Sequence, residues 1–188
     1  MSYTVKAVTE DNKEIFAEFL GNLDFSHAPH WATCFCRFYF TDCSQEEWMK
    51  RTGEDNRMEA LQEIKAGHMK GYLAFDNDKC IGWCNADNAD KFIRIKEYIN
   101  PLIKDEKAGC VTCYVIHPDY RRQGVARLLL KQAITDFKLQ KFNSVIAMPV
   151  NSVQSSELSY RGSMNMYAEN GFTVIDKQDS VRVMKLDL

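Results

Sequence analysis

The chain lacks an excess of charge of either sign. Lysine and arginine number 24 against 26 aspartates and glutamates, leaving a formal net charge of −2. No basic stripe accompanies that balance, which excludes the electrostatic footprint of a nucleic-acid or anionic-membrane partner. No apolar run is long enough to span a bilayer. The start, "MSYTVKAVTEDNKE", lacks the basic and apolar regions of a secretory signal. Internal repeats, low-complexity tracts and linkers are missing too. These absences point to a soluble, cytoplasmic protein and a single domain over residues 1–188, its first ~65 residues an elaboration. Two nucleotide-binding loops are also absent: G-x-x-x-x-G-K-[ST] and G-x-G-x-x-G.

What is present can build a core. Hydrophobic residues make up 45% of the chain, enough at this length to fold without staples. The seven cysteines are odd in number and suit free thiols in a reducing compartment. Cys80, Cys84, Cys110 and Cys113 sit in apolar, strand-like surroundings and are expected to pack in the core. The stretch "HAPHWATCFCRFYFTDC", from His27 to Cys43, gathers two histidines and three cysteines. Zinc ribbons use C-x₂₋₄-C pairs, and no second pair follows here. From Cys34 to Phe40 the pattern alternates, which predicts an extended segment with Cys34, Cys36, Phe38 and Phe40 on one apolar side. That favours packed thiols and no metal; a zinc or redox centre is the rival reading.

Hydropathy periods sketch the elements. "YTVKAV" predicts a strand, and Ile15, Phe16, Phe19 and Leu20 predict a helix stopped by Gly21. Ser44 and Glu47 match a capping box, with Gly53 breaking the region that follows. "GYLAFDNDKCIGWCNA" predicts a hairpin turning at "DNDK". The charged stretch "DKFIRIKEYINPLIKDEKAG" reads as an excursion between strands with a solvated face. "GCVTCYVIHP" is a central strand, "VARLLLKQAITDFKLQ" an amphipathic helix, "NSVIAMPV" a strand, "RGSMNMYAEN" a short helix, and "FTVIDKQDSVRVMKLDL" a strand pair. The fold class is therefore mixed α/β (α+β), with one sheet covered by helices on both faces.

The chemistry concentrates in "VIHPDYRRQGVARLLL". A buried strand ends at His117-Pro118, and a helix opens at Gly124. Glycine lets a ligand approach the backbone. Unpaired amides and the helix dipole make an anion site there, and Arg121 and Arg122 add charge. The pattern R-x-x-G-x-A between a strand and a helix describes a pyrophosphate cradle.

This segment resembles the coenzyme-binding motif of the GNAT superfamily of N-acetyltransferases, a strand, then [QR]-x-x-G-x-[GA], then a helix. "MNMYAENGF" is similar to the same family's later segment, and the hairpin fits its second and third strands. The resemblance covers roughly residues 70 to 188. It implies a central twisted sheet in which two parallel strands splay to admit the coenzyme arm; Pro149, lacking an N–H, suits a strand parting there. It implies acetyl-CoA as co-substrate, held by Val115, Ile116, His117, Arg121, Arg122, Gln123, Gly124, Val125, Ala126 and Arg127. It implies direct attack by the amine of a small molecule or peptide, with Tyr167 protonating the departing thiolate. It admits a homodimer. The acceptor side falls on the aromatic amino-terminal region and the third strand. Most of those aromatics are expected in the core, and Trp31, Trp83, Asn85 and Tyr114 are the candidate substrate contacts. Two departures stand out: Tyr160 occupies a position where many members have Asn, and "GCVTCYVI" carries no carboxylate base, leaving Tyr114, Asp87 and Asp90 as candidates. The rival reading on the same fold is a non-catalytic acyl-CoA-binding protein.

Overall fold

The computed structural model describes residues 3–104, 106–151 and 159–188. Strand β1 (Thr4–Ala7) leads to helix α1 (Lys13–Gly21), then to α2 (Gln45–Lys50) and α3 (Gly53–Lys65). The hairpin β2 (Gly71–Asp76) and β3 (Lys79–Asn88) follows, then α4 (Ile93–Ile103), β4 (Ala108–Ile116) and α5 (Val125–Leu139). The chain closes through β5 (Ser144–Ala147), α6 (Met164–Ala168), β6 (Thr173–Gln178) and β7 (Val181–Asp187). The strands form one seven-stranded sheet in the order β1-β2-β3-β4-β5-β7-β6. Every pairing is antiparallel except β4 with β5.

Both faces of the sheet are covered, as the periodicity predicted. On one face, Phe16, Leu20 and Ala60, Ile64 of α1 and α3 meet Leu73, Phe75 and Trp83, joined by Ile99 and Ile103 of α4. On the other, the α5 stripe of Leu129, Leu130, Ala133 and Phe137 packs with Tyr167 of α6 against Ala74, Cys84, Val111 and Val145. Two capping boxes start α2 and α3: Ser44 with Glu47, and Thr52 with Asp55. Each satisfies two orphan amides at a helix start, so the break expected near Gly53 is two separate helices. The charged excursion holds α4, which keeps Pro101 near its end and closes on left-handed Lys104.

Two expectations fail. Cys34 to Phe40 is not extended. It runs as tight turns, with Phe35 (φ 41°) and Cys36 (φ 54°) both left-handed. Such backbone costs roughly 1–3 kcal/mol per residue and persists only where neighbours enforce it. The Trp83 indole N–H donates to the Cys36 sulfur at 3.2 Å, and Phe35 and Cys36 are both buried. Local alternation was overridden by this tertiary seat. The second failure is Trp83 as a substrate contact. It has no exposed surface; its ring meets Phe16 edge-on at 4.6 Å and fills the space over Gly71, where a Cβ would lie 2.2 Å from the indole. Of the four cysteines expected in the core, Cys84 and Cys110 are fully buried, while Cys80 and Cys113 are partly so.

Trp83→Ala is therefore expected to cost about 3–5 kcal/mol of stability, read from the urea midpoint. A variant with unchanged stability would return Trp83 to the list of substrate contacts.

Candidate active site

Strands β4 and β5 pair only from Ala108 opposite Ser144 to Val111 opposite Ala147. Beyond that β4 continues to Ile116 beside β3 alone. The β3–β4 register shifts between Asn85 and Ala86, where Cys113 and Val111 are the partners, so Thr112 is an inserted residue. A bulge of this kind bends and twists its strand, and a gap opens where β5 leaves. Main-chain direction alternates along β4. The His117 N–H donates to Ile81 of β3 at 2.9 Å, whereas the Tyr114 N–H turns into the gap and meets the Tyr160 carbonyl at 2.6 Å. By that alternation Tyr114 and Ile116 offer main-chain groups to the gap, and Val115 and His117 give theirs to β3. The His117 ring belongs to the turn, its Nδ1 accepting from the Asp119 N–H at 3.3 Å.

At the mouth of the gap lies the turn before α5. Arg122 (φ 63°) and Gly124 (φ 85°) are left-handed on either side of Gln123. A Cβ on Gly124 would meet nothing within 4 Å, so the glycine is required by its backbone angle, and the space above it is open. The first-turn amides of Val125, Ala126 and Arg127 have no intrahelical acceptor. Together with the helix dipole they form a cationic concavity, which fits a pyrophosphate. Side chains brace this cradle. The Gln123 Oε1 accepts from the Tyr3 hydroxyl at 2.8 Å, and its Nε2 donates to the Asp119 carbonyl at 2.6 Å. Arg121 Nε donates to the Ile116 carbonyl at 3.3 Å. Arg127 pairs with Glu169, tying α5 to the end of α6.

A cleft of about 1220 Å³ joins the cradle, the gap and the amino-terminal segment. Val115, Ile116, Asn85 and Tyr114 line its middle, and Trp31, Tyr39 and Trp48 its far end. Asn85 has no exposed surface, and neither its amide nitrogen nor its oxygen has a partner. An orphan of this kind costs roughly 1–3 kcal/mol, and it lies on the cleft wall. Trp31 lies edge-on to Tyr160 with centroids 4.9 Å apart.

Tyr167 stands behind this wall. It is fully buried; its hydroxyl donates to the Arg161 carbonyl at 2.8 Å and lies 3.4 Å from the Tyr114 hydroxyl. Burial pushes the phenol well above its ordinary pKa. The two carboxylates named as candidate bases lie elsewhere: Asp87 is buried against a separate cavity with Tyr72 and Asp136, and Asp90 is exposed. Asp24, His27 and His30 also line the cleft. The two histidines stood out in the sequence only as metal-ligand types, and Asp24 carried no signal; the turns of residues 22–40 bring all three to the cleft. Asp24 is held below the usual carboxylate range by the Ser26 main-chain N–H, which it accepts at 2.8 Å. Among the described residues no three His, Cys, Asp or Glu side chains converge as metal ligands. The rings of His27 and His30 each meet Trp31 at 5.8 Å.

The family model described as "Acetyltransferase (GNAT) family" matches residues 31–172. The chain belongs to that family, whose co-substrate is acetyl-CoA. A search of curated proteins found no match. Among solved structures, a Drosophila melanogaster polyamine N-acetyltransferase superposes with a TM-score of 0.60 at 12% identity, covering 100% of both chains. The PaiA N-acetyltransferase of Thermoplasma acidophilum, in complex with coenzyme A, gives 0.58 at 14%, again over 100% of both. The ribosomal-protein-S5-alanine acetyltransferase of Vibrio fischeri gives 0.59 at 16%, covering 100% of this chain and 93% of that one. At these identities the likeness is one of fold. No helix among the described residues is long and apolar enough to cross a membrane.

Replacing Gly124 by alanine forces a left-handed alanine, at about 1–2 kcal/mol. The coenzyme A Kd, measured by calorimetry, is expected to rise about tenfold as the amides lose their aim. An unchanged Kd would remove this turn from coenzyme binding.

Proposed function

We propose that the protein is an N-acetyltransferase that moves the acetyl group of acetyl-CoA directly onto the amine of a small molecule or a peptide end. The observation that carries this reading is the continuity of the cleft. One channel links a pyrophosphate-sized cradle, a gap between strands and an aromatic far end. Both substrates would meet in it without a covalent enzyme intermediate.

In this reading the main chain of Arg122 to Arg127 holds the pyrophosphate, and the gap-facing groups of Tyr114 and Ile116 take the pantetheine arm. The bulge at Thr112 brings the acetyl end beside Asn85. The neutral amine attacks the carbonyl carbon; the C–N bond forms, the C–S bond breaks, and the sulfur takes a proton. The amine's own proton leaves to water or to a titratable group of the outer cleft. Asn85, unpaired and buried, is suited to orient the acceptor or the acetyl oxygen, and Trp31 flanks the acceptor. Tyr167 remains the candidate general acid. Its raised pKa keeps it protonated, as a donor must be, and its proton is shared with the Arg161 carbonyl. The seven free thiols suit a reducing, cytoplasmic setting.

Thiol release from acetyl-CoA with a panel of amines is the direct test. Wild type is expected to turn over, and Tyr167→Phe to lose about 100-fold or more in kcat with coenzyme affinity kept. Coenzyme binding without transfer to any amine would favour the non-catalytic reading. Unchanged kcat in the variant would leave Tyr167 only its structural hydrogen bond.

A further inference from the structure

The turn that opens α5 is held from outside its own motif. Gln123 lies between two left-handed residues, Arg122 (φ 63°) and Gly124 (φ 85°). Arg122 has a Cβ, so its conformation is strained and persists only where neighbours enforce it. Both neighbours line the cleft, whereas Gln123 is not among the lining residues. Its side chain turns away and is used at both ends of the amide. Nε2 donates to the Asp119 carbonyl at 2.6 Å. A carbonyl can only accept, so the amide oxygen faces the other way. There it accepts from the hydroxyl of Tyr3, 120 residues distant in the chain, at 2.8 Å.

Tyr3 is itself seated by the sheet. It stands one residue ahead of β1, whose Thr4 lies opposite Phe75 of β2. Its ring meets Tyr120 edge-on at 5.9 Å. Tyr120 in turn meets the His117 ring at 5.6 Å and donates its hydroxyl to Asp76, the last residue of β2, at 3.1 Å. The Lys79 ammonium, from the first residue of β3, stands 5.2 Å from the same ring. The turn from His117 to Gly124 is thus clamped to one end of the β1, β2 and β3 strands. Such support pre-organises the groups that the turn presents.

We infer that Tyr3 and Gln123 are positioning residues for the coenzyme. Their hydrogen bond fixes the peptide planes on either side of Gln123 and so aims the amides of Gly124 and the first turn of α5 at the pyrophosphate. Coenzyme affinity then depends on a side chain that precedes β1 and lies far outside the strand–turn–helix segment. The coupling is reciprocal, so bound coenzyme also holds Tyr3 in its seat. This rests on the reading of the turn as the pyrophosphate seat.

Calorimetry of coenzyme A is the test. Tyr3→Phe removes the hydroxyl and keeps the ring against Tyr120. Its Kd is expected to rise about fivefold, the worth of one hydrogen bond. Gln123→Ala is expected to raise the Kd about tenfold. Adding Tyr3→Phe to it should change nothing further, because both variants break the same contact. The KM for acetyl-CoA is expected to rise in step with the Kd. The KM for S-acetylpantetheine, which has no pyrophosphate, should stay within about twofold of wild type, whereas a general loosening of the fold raises both. Three results overturn the inference: an unchanged Kd in Tyr3→Phe, a full Tyr3→Phe effect on top of Gln123→Ala, or an equal loss for S-acetylpantetheine. If Gly124→Ala still raises the Kd when Tyr3→Phe does not, the pyrophosphate seat stands without the brace. If neither raises it, the seat falls as well.

Discussion

The parting of β4 from β5 is the constraint on which the rest of the site depends. A parallel pair inside a sheet would normally run its ladder to the end. Here the ladder stops at Val111 and Ala147. Two features enforce the stop. Thr112 is inserted against β3, which turns β4 away, and Pro149 follows β5 with no N–H to offer. The gap exposes main-chain groups that would be costly to leave dry. Tyr160 satisfies one of them with its carbonyl, and in doing so fixes the position of Arg161, Gly162 and the start of α6. The opening of the cleft and the seat of residues 160–162 are thus two consequences of one broken ladder.

The polar accounting of the cleft supports that view. Most polar groups around it are spoken for: Gln123 braces Tyr3 and Asp119, Arg127 pairs with Glu169, and His117 closes its own turn. Asn85 differs from these. It sits directly opposite Cys113, next to the bulge, with both ends of its amide unpaired and no exposed surface. A core position of that kind would favour an apolar residue. In the proposed transferase such a side chain is suited to a polar group of a substrate.

The elements with strong periodicity were legible in the sequence. The α5 stripe, the "DNDK" hairpin and the closing strand pair lie where alternation and helical spacing put them, because local preference and burial agree in each. The cradle was legible for the same reason: strand, turn, glycine and helix occur in one continuous segment. The acceptor end was not. Its pieces come from residues 22–48, from β3 and from residues 159–163, and no local pattern links them. Cys34 to Phe40 misled by alternating as a strand does, while Trp83 and Cys36 hold it in left-handed turns. Trp83 misled because a tryptophan beside Asn85 on the same face of β3 gives no sign of which one the helices cover. His27 and His30 were marked in the sequence only as possible metal ligands, and Asp24 not at all; tertiary structure alone brings them to the cleft.

The thiols of this region raise a chemical question that the fold also answers. Cys34, Cys36 and Cys113 line the cleft, and a thiolate beside a thioester would compete with an amine for the acetyl carbon. Attack requires the ionised form. Burial pushes the Cys34 thiol up to about 12, which leaves about one molecule in 10⁵ ionised at neutral pH. Cys36 lies beside Cys113 and within the core, and is driven well above its ordinary range by that neighbour and by burial; the Trp83 N–H opposes the shift only in part. Cys34 and Cys36 therefore line the cleft as small, polarizable, neutral surfaces. The same burial that makes them poor metal ligands or redox centres removes them as rival nucleophiles. That is why a cysteine-rich segment can form the wall of a cleft in which, on the proposed function, an amine is the nucleophile.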